Sequence, residues 1–252
     1  MSQFLLRSET VVVDNQVRFT PSDFFIGQAA FDYTVSNSTS TDTATARVTV
    51  AAPSGAIISN NPDDFINRLD SSDNFIIFNG GDSDRDFNGN GGNDTFITGE
   101  GSQRINTGSG NDAISTDGGD DVIRDNGGVS NRLFAGDGDD QIFASAGGGI
   151  INSGLGNDLV EINGPNGTYT VQLELDASTG IDTFDTTRNT NFQTLSEGKV
   201  IFDVLGVDSP NVSFETLGNG TRISLNGDAL VAIDNIQPQQ LESLSARQSL
   251  FV

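Results

Sequence analysis

From Phe78 onward a large apolar residue returns every nine positions: Phe78, Phe87, Phe96, Ile105, Ile114 and Ile123. One inserted residue near Ser130 displaces the column by one, and it resumes as Leu133, Ile142, Ile151 and Val160. A fixed short period of this kind is the mark of a solenoid, because a single nonamer cannot bury its one apolar side chain alone while a stack of them can. Three residues around the apolar position make a short strand with one side chain pointing inward, and the other six make a turn. Two nonamers then form one coil, so loops eighteen residues apart stack on the same side.

The turns have their own chemistry. Asp stands two positions before the apolar residue in the well-formed copies, behind a Gly-rich stretch: Gly89-Asn-Gly-Gly-Asn-Asp94, Thr107-Gly-Ser-Gly-Asn-Asp112, Ala135-Gly-Asp-Gly-Asp-Asp140 and Ser153-Gly-Leu-Gly-Asn-Asp158, with Thr116-Asp-Gly-Gly-Asp-Asp121 slightly degraded. Tight turns that visit positive φ explain the glycine. Charge follows the same boundary. Residues 1–55 hold 5 acids and 3 bases, 56–165 hold 19 and 5, and 166–252 hold 11 and 4, giving net charges of −2, −14 and −7 that sum to −23. Of the 30 glycines, 21 lie in the middle segment.

That balance excludes several classes of function. A charge of −23 is the wrong sign for nucleic acid or an anionic membrane. With neither His nor Cys there is no histidine base, no thiolate nucleophile, no disulfide framework and no zinc-thiolate site. No HExxH or G-x-S-x-G motif is present, so the chain is not expected to be an enzyme. No run approaches the apolar length of a membrane span. Hard cations held by oxygen atoms are what such a composition suits.

The nonamers resemble the G-G-x-G-x-D-x-U-x repeat of RTX (repeats-in-toxin) proteins, over about residues 71 to 162. The resemblance implies a calcium-binding parallel β-roll. With coils one strand spacing apart, the Asp of one loop and its stacked neighbour reach one ion between them. Asp94 pairs with Asp112 and Asp140 with Asp158 at eighteen residues; Asp121 pairs with Asp140 at nineteen if the insertion bulges outward. Arg85, Gln103 and Gly149 occupy the Asp position in the intervening copies. Two to three Ca²⁺ are expected, one on one side and two on the other. In the family, carbonyls at loop positions two and four upstream and one and three downstream complete each site. Carried over, the first site is Asn90, Gly92, Asp94, Thr107, Ser109 and Asp112. The second is Asp117, Gly119, Asp121, Ala135, Asp137 and Asp140; the third is Gly136, Gly138, Asp140, Ser153, Leu155 and Asp158. Asp82-Ser-Asp84-Arg-Asp86 begins like an EF-hand loop, but Phe87 and Asn93 stand where Gly and Glu are required.

The flanks alternate as strands do. Val17, Phe19, Phe31, Tyr33, Val35, Ala44, Ala46, Val48 and Val50, in the phrases Val17-Arg-Phe-Thr-Pro21 and Ala30-Phe-Asp-Tyr-Thr-Val35, resemble the second half of a bacterial cadherin-like, Ig-type sandwich. Either the chain is a fragment of a longer protein that holds the missing strands, or another copy supplies them, or the half-sandwich packs as a bare sheet on the roll. Strands are expected at 169–175, 199–204, 212–217, 221–225 and 229–233. This stretch, with Ile236, Leu241 and the ending Ser249-Leu-Phe-Val252, resembles the cap and uncleaved C-terminal export signal of RTX proteins. Phe65, Phe75, Phe78 and Phe87 read as core and N-terminal capping of the roll.

The expected fold class is therefore all-β: an RTX parallel β-roll flanked by a partial Ig/cadherin-like sandwich and a C-terminal β-rich cap. The expected domains are 1–52 sandwich, 53–70 linker and N-terminal cap, 71–164 roll and 165–252 C-terminal cap. The N-terminal residues lack a basic region followed by a long apolar run, so export is expected through the C-terminal signal and a type I secretion apparatus. The expected function is a secreted, cell-surface structural or adhesive protein that folds on Ca²⁺ and self-associates into a fibre or lattice through the incomplete sandwich. The alternative is the export and folding module of a larger secreted hydrolase.

Overall fold

The computed structural model describes residues 9–13, 16–21, 25–36, 39–59, 69–78, 84–145, 147–163, 167–173, 182–185, 200–204, 212–225, 228–233 and 236–245. Two compact units divide near residue 56. The first holds two antiparallel hairpins: β1 (Glu9–Val13) with β2 (Gln16–Thr20), and β3 (Gly27–Ser36) with β4 (Thr41–Val50). Phe19 of β2 stacks on Phe31 of β3 with ring centroids 6.1 Å apart. Apolar side chains in these hairpins remain in solvent, with Val12 74% and Val35 61% exposed.

The second unit is a parallel β-solenoid of about five turns. Its strands run in chain order β5 (Ile57–Ser59), β6 (Phe75–Phe78), β7 (Arg85–Asn88), β8 (Thr95–Ile97), β9 (Gln103–Gly108), β10 (Ala113–Ser115), β11 (Val122–Asp125), β12 (Gly128–Asp137), β13 (Gln141–Ser145), β14 (Gly147–Leu155), β15 (Leu159–Asn163), β16 (Tyr169–Leu173), β17 (Asp182–Asp185) and β18 (Val200–Val204). From β6 to β16, even-numbered strands join one parallel sheet and odd-numbered strands the other. Consecutive strands therefore alternate between sheets, as a coil of two nonamers requires. Strand accounts for 66% of the structure, which makes the chain all-β.

Burial explains the nine-residue column. Phe87, Ile105, Ile123, Ile142 and Val160 lie opposite one another in one sheet; Phe96, Ile114, Leu133 and Ile151 do so in the other. Each is at most 5% exposed. The first member departs from the pattern. Ile76, not Phe78, lies opposite Phe96, because the first coil takes twenty residues instead of the eighteen of two nonamers. Phe78 is still buried and packs edge-on against Phe87 at 5.5 Å. The inserted residue is taken up between Gly128 and Asn131, where the register shifts and Val129 stands 74% exposed.

The roll does not stop at 164. β16 pairs parallel with β14 and β18 with β16, while β17 pairs parallel with β15, so Val171 and Phe184 extend the two inner columns. The expected boundary at 165 is thus no break in either sheet. β19 (Val212–Leu217), β20 (Gly220–Leu225) and β21 (Asp228–Ile233) form an antiparallel meander whose last strand joins β17 in parallel. At the other end β5 pairs with β6, so the roll begins inside the expected linker. Helix α1 (Pro238–Ser245), not expected from the alternation, buries Leu241 alongside Ile236 in the same core. Phe65, Asp82 and the tail from Ser249 lie outside the described residues.

Candidate metal sites

Each of the five aspartate loops turns through two left-handed residues, at positions two and four of the nonamer. Their φ angles are 64° and 98° at Asn90 and Gly92, 89° and 136° at Gly108 and Gly110, 68° and 106° at Asp117 and Gly119, 108° and 147° at Gly136 and Gly138, and 97° and 143° at Gly154 and Gly156. The only non-glycine residues in this conformation among those described are Asn90 and Asp117, the residue types that tolerate it best. Glycine is required for a second reason where loops stack. The Gly92 carbonyl points at Gly110 so closely that a Cβ there would sit 1.8 Å from its oxygen, and Gly136 and Gly154 meet at 1.9 Å in the same way.

The aspartates at position six form two ladders. On one flank Asn74 donates its backbone N–H to Asp94 Oδ1 at 2.8 Å, Asp94 to Asp112 Oδ1 at 2.8 Å, and Asp112 to Asn131 Oδ1 at 2.9 Å. On the other, Gln103 donates to Asp121 Oδ1 at 2.6 Å, Asp121 to Asp140 at 2.7 Å, Asp140 to Asp158 at 2.9 Å and Asp158 to Asp182 at 3.3 Å. One oxygen of each carboxylate is thereby fixed to the neighbouring coil. The other is not: Oδ2 of Asp94, Asp112, Asp121, Asp140 and Asp158 is buried with no hydrogen-bond partner. These are the five repeat aspartates, each at most 2% exposed.

Position one of the loop faces the free oxygens. A Cβ on Gly89 would lie 2.3 Å from Asp94 Oδ2 and 2.4 Å from the Thr107 carbonyl, which places both oxygens around one point. Thr107, Thr116 and Ser153 bring hydroxyls beside the carboxylates of Asp112, Asp121 and Asp158. Among the described residues no three carboxylates converge. The remaining donors for an ion are therefore hydroxyl and main-chain oxygens. The structure brings together the aspartate pairs of all three sites, with Gly91 bridged to Ser109 and Gly118 to Asp137 across the coils. Several of the expected carbonyl donors already accept one hydrogen bond: Asp117 from the Asp137 N–H at 2.7 Å, Asp137 from Gly119 at 2.8 Å, Leu155 from Gly138 at 2.8 Å and Ala135 from the Thr116 hydroxyl. A carbonyl has two lone pairs, so each keeps one for a cation.

Leaving a buried polar atom without a partner costs about 1–3 kcal/mol, more if charged. Five such oxygens rival the roughly 5–15 kcal/mol by which a domain is stable. Without a cation the proton has to serve, and burial pushes these carboxyls upward, Asp94 and Asp158 to about 6, Asp121 to about 7 and Asp140 to about 8. The hydrogen bonds from Asn74, Gln103 and their equivalents pull the other way but do not win.

Three features escape the sequence reading. Position five carries an outer ladder of opposite sense: Asn111 donates its backbone N–H to Asn93 Oδ1 at 2.8 Å, Asp139 to Asp120 at 3.0 Å and Asn157 to Asp139 at 2.9 Å. The recurring Asn or Asp before each ladder aspartate was the available signal. Asn131 takes the aspartate's place once the insertion is counted. Beside it Asp125, 1% exposed, is satisfied without an ion by the Asn131 amide at 2.7 Å and the Tyr169 hydroxyl at 2.9 Å on Oδ2, and by Thr107 at 3.3 Å on Oδ1. Tyr169 lies opposite Gly149 in the sheet, and its hydroxyl packs against Gly147, where an added Cβ would sit 3.1 Å from it. Set against known proteins, the chain matches no family model and no curated protein.

Proposed function

We propose that the second unit is a calcium-binding roll of the RTX type, and that the chain is a secreted structural or adhesive surface protein which folds on Ca²⁺ and associates with its own copies. The observation that carries the reading is the set of five buried aspartate oxygens without partners at one phase of the nonapeptide, with Asp94 Oδ2 beside the Thr107 carbonyl. Carboxylate plus carbonyl donors suit Ca²⁺, which accepts six to eight oxygens in loose geometry, better than Mg²⁺, which gives up its waters reluctantly. The ion would neutralise paired carboxylates and satisfy Oδ2 of each. Export in an unfolded state fits this chemistry, since the loops repel one another where Ca²⁺ is scarce. Binding stabilises the folded state by about 2.7 kcal/mol per site at a hundredfold excess over Kd, so three sites supply roughly 8 kcal/mol. Circular dichroism of chelated protein at pH 8 should show part of the β structure lost, which Ca²⁺ restores and equimolar Mg²⁺ does not. A spectrum indifferent to chelation would overturn the reading.

A further inference from the structure

We propose that Asp182 and Asp158, with the Ser153 hydroxyl, form a further divalent-cation site at the end of the second ladder, beyond the last nonapeptide. The inference rests on the calcium reading above but concerns a residue outside the evenly spaced nonapeptides. Asp182 follows Asp158 by twenty-four residues instead of eighteen, but it stands two positions after Gly180 and two before Phe184, as a loop aspartate does. The fold brings it onto the rung. β15 and β17 pair with Leu159 opposite Thr183, and the Thr183 N–H donates to the Asp158 carbonyl at 2.6 Å, so Asp182 stands next to Asp158.

Its carboxylate repeats the ladder bond. Oδ1 accepts the Asp158 N–H at 3.3 Å, as Asp140 and Asp158 accept those of Asp121 and Asp140. Oδ2 accepts the Ser153 hydroxyl at 3.0 Å, and Ser153 is 1% exposed at position one of the Asp158 loop. Asp158 itself is 2% exposed, and its Oδ2 has no partner. Two carboxylates and a hydroxyl thus meet at one part-buried rung, with a net charge of −2 when both acids are ionised. An all-oxygen set of that charge calls for a hard divalent cation of the calcium kind. A single shared proton is the competing occupant.

Native mass spectrometry of the full chain in calcium-buffered solution counts ions on the folded charge states. With three repeat pairs and this one, wild type should carry four. Asp182→Asn should carry one fewer, Asp158→Asn two fewer because that carboxylate serves two rungs, and Asp182→Glu the wild-type number. Equal counts in wild type and Asp182→Asn would overturn the proposal in favour of the shared proton. A wild type without ions would instead defeat the calcium reading itself. Should Asp182→Asn give no folded charge states, Ser153→Ala decides. Its last ion should require at least about tenfold more calcium while the others fill normally, and unchanged filling overturns the proposal.

Discussion

Asp140 shows why a single residue here has opposite effects in two conditions. It is shared by two rungs, accepting the Asp121 N–H and lying beside Asp158, and burial foremost, then its carboxylate neighbours, raises it to about 8. A carboxyl that holds its proton more tightly folded than unfolded adds stability below its unfolded value near 4 and loses it as pH climbs through the folded value. Asp94, Asp158, Asp121 and Asp140 therefore make the metal-free chain lose stability between about pH 4 and pH 8. In excess Ca²⁺ the order reverses, since protons compete with the ion for the same oxygens. Urea midpoints in chelator should be lower at pH 8 than at pH 5, and higher at pH 8 once calcium saturates the protein. A higher midpoint at pH 8 in chelator would contradict the assignment. Asp140→Asn should narrow the chelator difference and destabilise only the calcium form.

At the scale of elements, what could be read from the sequence was what repeats. The spacing of Phe87, Phe96, Ile105 and their successors fixes strand positions and sheet membership, because one buried side chain per nonamer leaves a single way to stack. The C-terminal strands other than β17 were legible by alternation, but their partners were not. Period two identifies a strand without saying whether its neighbour is parallel, so the continuation of both sheets through β16, β17 and β18 was hidden. Asp182 was hidden by its twenty-four-residue step from Asp158, although Asp182-Thr-Phe184 repeats the phase of Asp94-Thr-Phe96. Tyr169 belongs with it: a phenol forty-four residues from Asp125 closes the rung where Asn131 replaces aspartate. Removing its hydroxyl leaves a buried carboxylate oxygen with one donor instead of two, a loss of about 1–3 kcal/mol. Tyr169→Phe should lower the unfolding free energy by that amount in calcium, and equally in chelator at pH 5, where the protonated roll keeps its fold, with the ion count unchanged. A loss seen in calcium alone would mean that the rung binds metal.

For the whole molecule the balance lies between charge and exposed apolar surface. The formal charge is −23, and four divalent ions would reduce it to −23 + 4 × 2 = −15, so copies repel one another even when the roll is filled. In the N-terminal unit Val12, Val13, Val17, Tyr33 and Val35 are each more than 40% exposed on short hairpins, a surface that gains by being covered. Which effect wins depends on screening. The Debye length shrinks from about 30 Å at 0.01 M salt to about 10 Å at 0.1 M, while apolar attraction survives or strengthens as salt rises. Self-association of the calcium-filled chain should therefore be absent at 0.01 M (about 30 Å screening) and appear as salt approaches about 0.15 M, read by sedimentation velocity and electron microscopy. Val12→Asp with Val35→Asp should abolish it without altering the calcium-induced dichroism, because those side chains lie outside the roll. Wild type that stays monomeric at every salt concentration with calcium bound would leave the roll reading intact and remove the assembly. Association strongest at low salt would assign it to charge pairing, or to calcium bridging the exposed acids, instead of to the hairpins.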